Sequence, residues 1–319
     1  MAALGDLFDL LPPVHAALGS DGTLLVLCSD AADPGLEDRQ ALVVALRPGA
    51  QAARVVAQLD GAQRFVLARA GDEASCLVAS AGGALTSVEA GVPRPSGEVV
   101  GEGMDTPMFL GRLCCQLATA QGWYLGGMSR QLYVLDAARG RWERADAGLL
   151  DRSDSVTSAI YGMAPAADGL LLVGGDGEIW RGTAGRWRTQ ESGTNLMLNA
   201  VARLLPDQHL ACGAGRTVLA IGDDGAVAQV EHEIDPDFLF ELRCFGSFAF
   251  VFAEDGLHRF AVAPQPRYQA LVEGSRGARL AVQGEGALHA IGKSAIGSTG
   301  DGLSWRWTAT ADIVLDLPD

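Results

Sequence analysis

The side chains that could hold a metal or act as acid, base or nucleophile are scattered along this chain. The five histidines, His15, His209, His232, His258 and His289, show neither HxH nor HExxH spacing. No local pair of the kind that seeds a metal site is therefore present in the sequence. Glu231-His232-Glu233 is the densest run. It reads as a solvated acidic loop, with weak cation binding as the sharper alternative. The six cysteines lack CxxC spacing, and Cys28, Cys76, Cys114, Cys115 and Cys212 sit inside apolar runs. They read as small buried hydrophobes rather than disulfides or ligands. Gly213-Ala214-Gly215 and Gly82-Gly83 lack the helix and lysine of a phosphate cradle, and Lys293 falls in a hairpin turn. Gly274-Ser275-Arg276-Gly277 lacks the strand-to-helix context of a nucleophile elbow. These patterns assign no catalytic residue, no metal and no cofactor. Paired carboxylates for glycoside hydrolysis stay open, because folding can bring distant acids together.

Carboxylates are the chemistry that remains. There are 39 acids against 24 bases, a formal charge of −15. That balance argues against nucleic-acid or anionic-membrane partners, whose phosphates require Lys and Arg. It favours a cationic partner. With 48% hydrophobic residues among 319, the chain can bury a sizeable core. Its apolar runs are far too short for a membrane-spanning helix. The N-terminal MAALGDLFDLLPPVH has no basic n-region and is interrupted by Asp6 and Asp9. It makes a poor signal peptide, so a reducing cytoplasm is expected.

The elements that must position these acids repeat. Short apolar runs ending in small residues are anchored at 24, 76, 124, 171, 210, 249 and 288, with spacings of 52, 48, 47, 39, 39 and 39. A period near 40 residues is that of a β-propeller. In the clearest copy, Val156–Tyr161 reads as a first strand, Leu170–Val173 as a buried second, Glu178–Arg181 as a third and Arg186–Thr189 as a polar outer strand. Leu132–Leu135 and Arg141–Arg144 repeat the outline around Gly140. Asp-Gly pairs beginning at Asp21, Asp60, Asp168, Asp176, Asp224, Asp255 and Asp301 signal type I′ hairpins. Insertions at Ser29–Arg39 and in the Pro-rich Val92–Gly97 account for the stretched first half. The expectation is an all-β fold: a seven-bladed β-propeller of four-stranded antiparallel blades, one domain over 1–319, with very little helix. Two stacked sandwiches would explain the strands but not the period; six or eight blades stay open. Trp142, Trp187 and Trp305 fall at equivalent outer-strand positions, which points to blade packing. His209 and His289 are likewise repeat-equivalent.

Ser298-Thr299-Gly300-Asp301-Gly302-Leu303-Ser304-Trp305 resembles the Asp-box of BNR and sialidase-type propellers, with the Asp displaced to Asp301. Gly126–Trp142 and Gly174–Trp187 follow the looser rhythm of the photosystem II stability-factor-like branch. The stretches Gly127–Tyr133, Gly175–Trp180 and Ser192–Leu196 are similar to bacterial propellers encoded beside polymorphic or Rhs-type secreted toxins. That resemblance implies an immunity protein, which binds and neutralises a toxin such as those delivered by type VI secretion. A sialidase would need a tyrosine nucleophile, acids and an arginine cluster on the axis. Tyr161 suits an innermost strand, but no arginine triad can be assigned.

In such a blade, the second-to-third-strand turns and the inter-blade connections share one face; the other two turns share the opposite face. The first face collects Asp105, Asp151, Asp154, Asp176, Glu178, Glu231, Glu233, Asp235 and Asp237, with Met104, Met108, Phe109, Phe238 and Phe240. Asp30, Asp33, Glu37, Asp38, Glu102, Glu254 and Asp255 join them, diluted by Arg130, Arg152 and Arg216. The other collects Arg47, Arg54, Arg94, Arg139, Arg141, Arg181, Arg186 and Arg267, offset by Asp136, Asp223 and Asp224. The acidic face reads either as solvated surface or as a docking face for a basic protein, steered by acid and anchored by Phe238. The leading expectation is a non-enzymatic protein in a 1:1 complex with a basic toxin domain encoded by a neighbouring gene, covering its active site. A degenerate BNR-type enzyme or lectin, or an assembly factor, are the alternatives.

Overall fold

The computed structural model describes residues 2–29, 40–61, 63–68, 75–120, 122–136, 141–150, 158–263, 265–284 and 286–317. The strands form seven antiparallel blades, and the chain is a seven-bladed β-propeller. All seven anchor runs are second strands: Leu24–Ser29, Cys76–Ser80, Gly122–Gly127, Gly169–Gly174, Gln208–Gly213, Phe248–Ala253 and Leu288–Gly292. They are solid apolar runs because both of their faces are covered. Leu171, Leu172 and Val173, for example, are at most 1% exposed, and each such side chain contributes about 1.5–3 kcal/mol on burial.

The blades group into two compact units, Met1–Val99 with Glu273–Asp319, and Val100–Val272. In the first unit, blade 1 (strands within 13–60) has six strands rather than four. Val314–Asp316 pairs parallel with its outer strand Ala52–Asp60, and Ala2–Ala3 pairs with Val314–Asp316. The N-terminal stretch is a short helix, Leu4–Leu10, whose Leu4, Leu7 and Phe8 pack into the same core as Ile313 and Leu315. The second unit holds blades 3 to 6, starting at Leu113, Ile160, Leu198 and Leu239. Its cores lie between neighbouring blades, as where Leu171 and Val173 meet Ala211 and Leu219.

Several expectations need correction. The first strand of blade 4 is Ile160–Ala166, Val156 and Thr157 lying outside the described residues, and its outer strand is Arg188–Gln190, leaving Trp187 just outside. Trp305 likewise precedes its strand, whereas Trp142 lies within one, yet the registers of the three outer strands run to equivalent positions, with Trp142 opposite Leu135 and the pairings of Arg188 and Arg306 leading to Trp187 and Trp305. Val92–Val99 is no insertion but the outer strand of blade 2, where Pro93 and Pro95 pair opposite Val88 and Thr86. An edge strand tolerates proline because its outer N–H positions have no ladder partner to lose. Asp60-Gly61 joins two blades rather than making a hairpin. The glycine of every Asp-Gly pair has positive φ, but of the seven aspartates only Asp176 does, so only that pair fits type I′. Gly140 and the segment 30–39 fall outside the described residues. Cys114 is only half-buried, not a core thiol.

One device recurs in every blade and was not read from sequence. The first strand carries a one-residue register shift against the second at its start. The extra residues are Val14 and Arg64 in blades 1 and 2, then Cys114, Tyr161, Asn199 and Phe240 in blades 3 to 6, and Arg279 in blade 7. Such bulges re-aim a side chain at a sheet end. Beside them the second strands of blades 4 and 5 end in glycine from necessity. A Cβ on Gly174 or Gly213 would lie 2.0 Å from the carbonyl oxygen of Ala159 or Met197.

Candidate protein-interaction face

In blades 3 to 5 the second-to-third-strand turns are built alike. The left-handed pairs Ser129-Arg130, Asp176-Gly177 and Gly215-Arg216 sit at the tips, closed by Gln131 N–H to Met128 O, Glu178 N–H to Gly175 O and Thr217 N–H to Ala214 O. Each turn is tied to an inter-blade connection. Arg130 N–H donates to Ser158 O (3.0 Å), Gly175 N–H to Ala159 O (3.1 Å) and Arg216 N–H to Asp237 O (3.1 Å). Within this unit, then, turns and connections do share one face, and hydrogen bonds tie each turn to a connection.

Two segments stand out on it. The first enters blade 3. Gly103–Asp105 is a 3-10 turn and Pro107–Leu110 a single helical turn, with Phe109 and Leu110 N–H both donating to Thr106 O at 3.0 Å. Helical spacing turns Pro107 and Leu110 inward and Met108 and Phe109 outward. Met108 is 76% exposed, Met104 65% and Phe109 57%. The turn rests on blade 3 through Ser129 Oγ donating to Leu110 O (2.9 Å) and Gln131 Nε2 donating to Gly111 O (2.6 Å).

The second segment, Val230-Glu231-His232-Glu233-Ile234-Asp235-Pro236-Asp237-Phe238, joins blades 5 and 6 and makes no sheet ladder over 231–236. It still alternates. Val230 and Ile234 are buried, while Glu231, Glu233, Asp235 and Asp237 are exposed. An extended backbone with period two puts every second side chain on one side, about 7 Å apart. His232 pins the inward side: its Nε2–H donates to Arg216 O (2.7 Å) and its Nδ1 accepts from Ile234 N–H (3.2 Å). Burial holds this imidazole below its ordinary pKa, so it stays neutral beside the acids. Phe238 is 41% exposed and its ring lies 5.5 Å from that of Phe240.

The sequence-predicted residues divide. Glu231, Glu233, Asp235 and Asp237 come together on one connection, with Phe238 at its end. Asp237 lies 3.6 Å from Arg216, a loose exposed pair. Asp176 is exposed at the tip of the blade 4 turn. Two others are committed within the fold. Glu178 takes both nitrogens of a fork from Arg130, which also lies 5.3 Å over the Trp180 ring. Asp105 accepts from Arg144 at 2.7 Å, with Asp146 as Arg144's second partner at 2.6 Å. Asp151 and Asp154 lie outside the described residues. On the opposite face, Arg181 is no exposed base: it is buried between Asp168 (2.7 Å) and Asp223 (2.6 Å). Burial opposes the charge on Asp168, but the Arg181 guanidinium holds its carboxyl below the ordinary range. Asn199 was missed in the sequence, and so were the bulges that leave it, Cys114, Tyr161 and Phe240 half-buried; a register shift leaves no mark in composition.

No family model matches the chain. It is 31% identical over 132 residues to the immune protein Tsi7 of Pseudomonas aeruginosa, a match spanning 40% of this chain and 42% of that protein. The chain thus matches less than half the length of this relative. Its fold is similar to the WD40 propeller domain of Doa1, with a TM-score of 0.59 and 12% identity over 93% of this chain and 92% of that one. It is also similar to virginiamycin B lyase of Staphylococcus aureus, solved with quinupristin. There the TM-score is 0.55 and the identity 9%, over 93% of this chain and 84% of the lyase. At such identities the likeness concerns the fold, which hosts many functions.

Proposed function

We propose that this propeller is a non-enzymatic immunity protein that binds a cognate bacterial toxin and covers its active site. The observation that carries the reading is the similarity to the immune protein Tsi7, joined to a face whose connections expose apolar side chains at 104–109 and acids at 231–237. Exposed carboxylates at Glu231, Glu233, Asp235 and Asp237 would raise the encounter rate with a cationic domain. Met108, Phe109 and Phe238 would supply the desolvated contacts that hold it. The partner is the product of a neighbouring gene, bound 1:1 in the cytoplasm. Co-expression tests this: the chain should restore growth to cells making that product and co-purify with it. Growth arrest that persists while both proteins are soluble and present would overturn the reading.

A further inference from the structure

A cleft of about 650 Å³ runs between the outer parts of blades 5 and 6, lined among others by Gln208, Gln229, Glu231, Glu233, Arg267 and Tyr268. Its acidic end is the connection described above. Behind its wall, His258 is only 2% exposed. Its Nε2 lies 2.8 Å from Asp255 Oδ1 and its Nδ1 3.3 Å from the Tyr268 hydroxyl. A carboxylate accepts, so in the neutral imidazole Nε2 carries the proton, Nδ1 accepts, and Tyr268 donates its hydroxyl hydrogen inward. The phenol oxygen keeps only lone pairs for the cleft. Burial, then the nearby Glu233 and Asp255, raise the Tyr268 pKa further, so the hydroxyl stays protonated. His232, also on the lining, has both ring nitrogens engaged with backbone. This end of the cleft is therefore a wall of acceptors around an aromatic ring. Farther along, Gln208 Oε1 is buried with no hydrogen-bond partner, an acceptor waiting for a donor. Arg267, the cationic group on the lining, begins the outer strand of blade 6 and directly precedes Tyr268.

We propose that this cleft captures a guanidinium side chain, with Glu231 and Glu233 accepting its N–H groups, Tyr268 stacking on its plane, and Gln208 Oε1 taking a backbone N–H of the segment that carries it. A planar, donor-only cation fits such a site better than a compact ammonium. That the segment belongs to the toxin rests on the reading above.

The test titrates the full chain with an acetylated, amidated Gly-Arg-Gly peptide and with its citrulline counterpart, a neutral isostere. The arginine peptide should bind about tenfold tighter, the worth of one charge-assisted hydrogen bond. Glu231→Gln with Glu233→Gln should abolish that preference, and Tyr268→Leu should weaken the arginine peptide several-fold. Glu98→Gln, an exposed acid of blade 2, should leave the preference in place; thermal melts verify that each variant is folded. Equal binding of the two peptides, or an arginine preference that survives the double substitution, overturns the proposal. The same preparations are tested against the neighbouring gene's product. Toxin binding without arginine preference overturns this inference alone; arginine preference without toxin binding overturns the immunity reading alone.

Discussion

The segments Met104–Phe109 and Val230–Phe238 occupy the same face and are made by the same rule with different periods. In the first, one helical turn buries Pro107 and Leu110 and leaves Met108 and Phe109 outside. In the second, an extended chain buries Val230 and Ile234 and leaves four carboxylates outside. Their electrostatics also differ. Asp105, beside the apolar turn, is held by Arg144, whereas Glu231, Glu233 and Asp235 carry no ion pair among the described residues. The difference teaches that acid count does not measure a docking surface. A carboxylate already paired within the fold projects little field, and the acids that act on a partner are those the backbone turns outward and leaves unpaired. The apolar segment should then govern how long a complex lasts, and the acidic one how fast it forms.

The largest effect should come from breaking the frame that carries both segments. Gly213→Ala forces a Cβ against the Met197 carbonyl. It should cost about 3 kcal/mol or more in denaturant unfolding and impair both segments together. A near-neutral result would mean the frame is softer than its hydrogen bonds imply. Next, Met108→Ala with Phe109→Ala should raise the dissociation rate of the toxin complex by about thirtyfold, corresponding to about 2 kcal/mol, with folding stability nearly unchanged. Reversing Glu231, Glu233, Asp235 and Asp237 to lysine should lower the association rate about tenfold at low salt, an effect that fades at high salt. If dissociation changes instead, the division of labour fails.

Smaller still is Glu178→Gln. It frees Arg130, both partners being half-buried, and should cost about 1 kcal/mol of stability with little change in association. A large change in association would place Glu178 among the working acids.

Acidification separates the segments differently. Burial depresses the folded pKa of His232, His209 and His289 below 6.5. The unfolded chain thus binds protons first, and stability present above pH 6.5 is lost as pH falls through the folded values. At most the slope is about 1.4 kcal/mol per pH unit for each histidine. His232 also loses its Nδ1 acceptor on protonation. Hydrogen exchange should therefore quicken over 231–237 before 104–110 as pH drops from about 7 to about 5.5; equal quickening would remove His232 as the pin.

Much of this was legible before any coordinates. The second strands were readable because burial on both faces writes an uninterrupted apolar run, and the glycine at their ends marks a close carbonyl. The acidic connection was readable as a charged loop between two strands; the alternation that buries Val230 and Ile234 and turns its acids outward was not. The bulges at Cys114, Tyr161, Asn199 and Phe240 were not, since register depends on a partner strand and not on composition. Nor were the pairs Arg130–Glu178 and Arg181–Asp223, whose members lie on different blades and meet only when the blades pack. The proline-rich outer strand of blade 2 misled because an edge strand can carry residues that an inner strand cannot.

The most direct test of the central claim is stopped-flow binding of the neighbouring gene's product across a salt series, comparing the four-acid reversal with the Met108 and Phe109 double variant. The account predicts that the reversal flattens the salt dependence of association while leaving dissociation alone, and that the apolar variant does the opposite. Wild-type protein that fails to bind, or two variants that cannot be told apart, would contradict it.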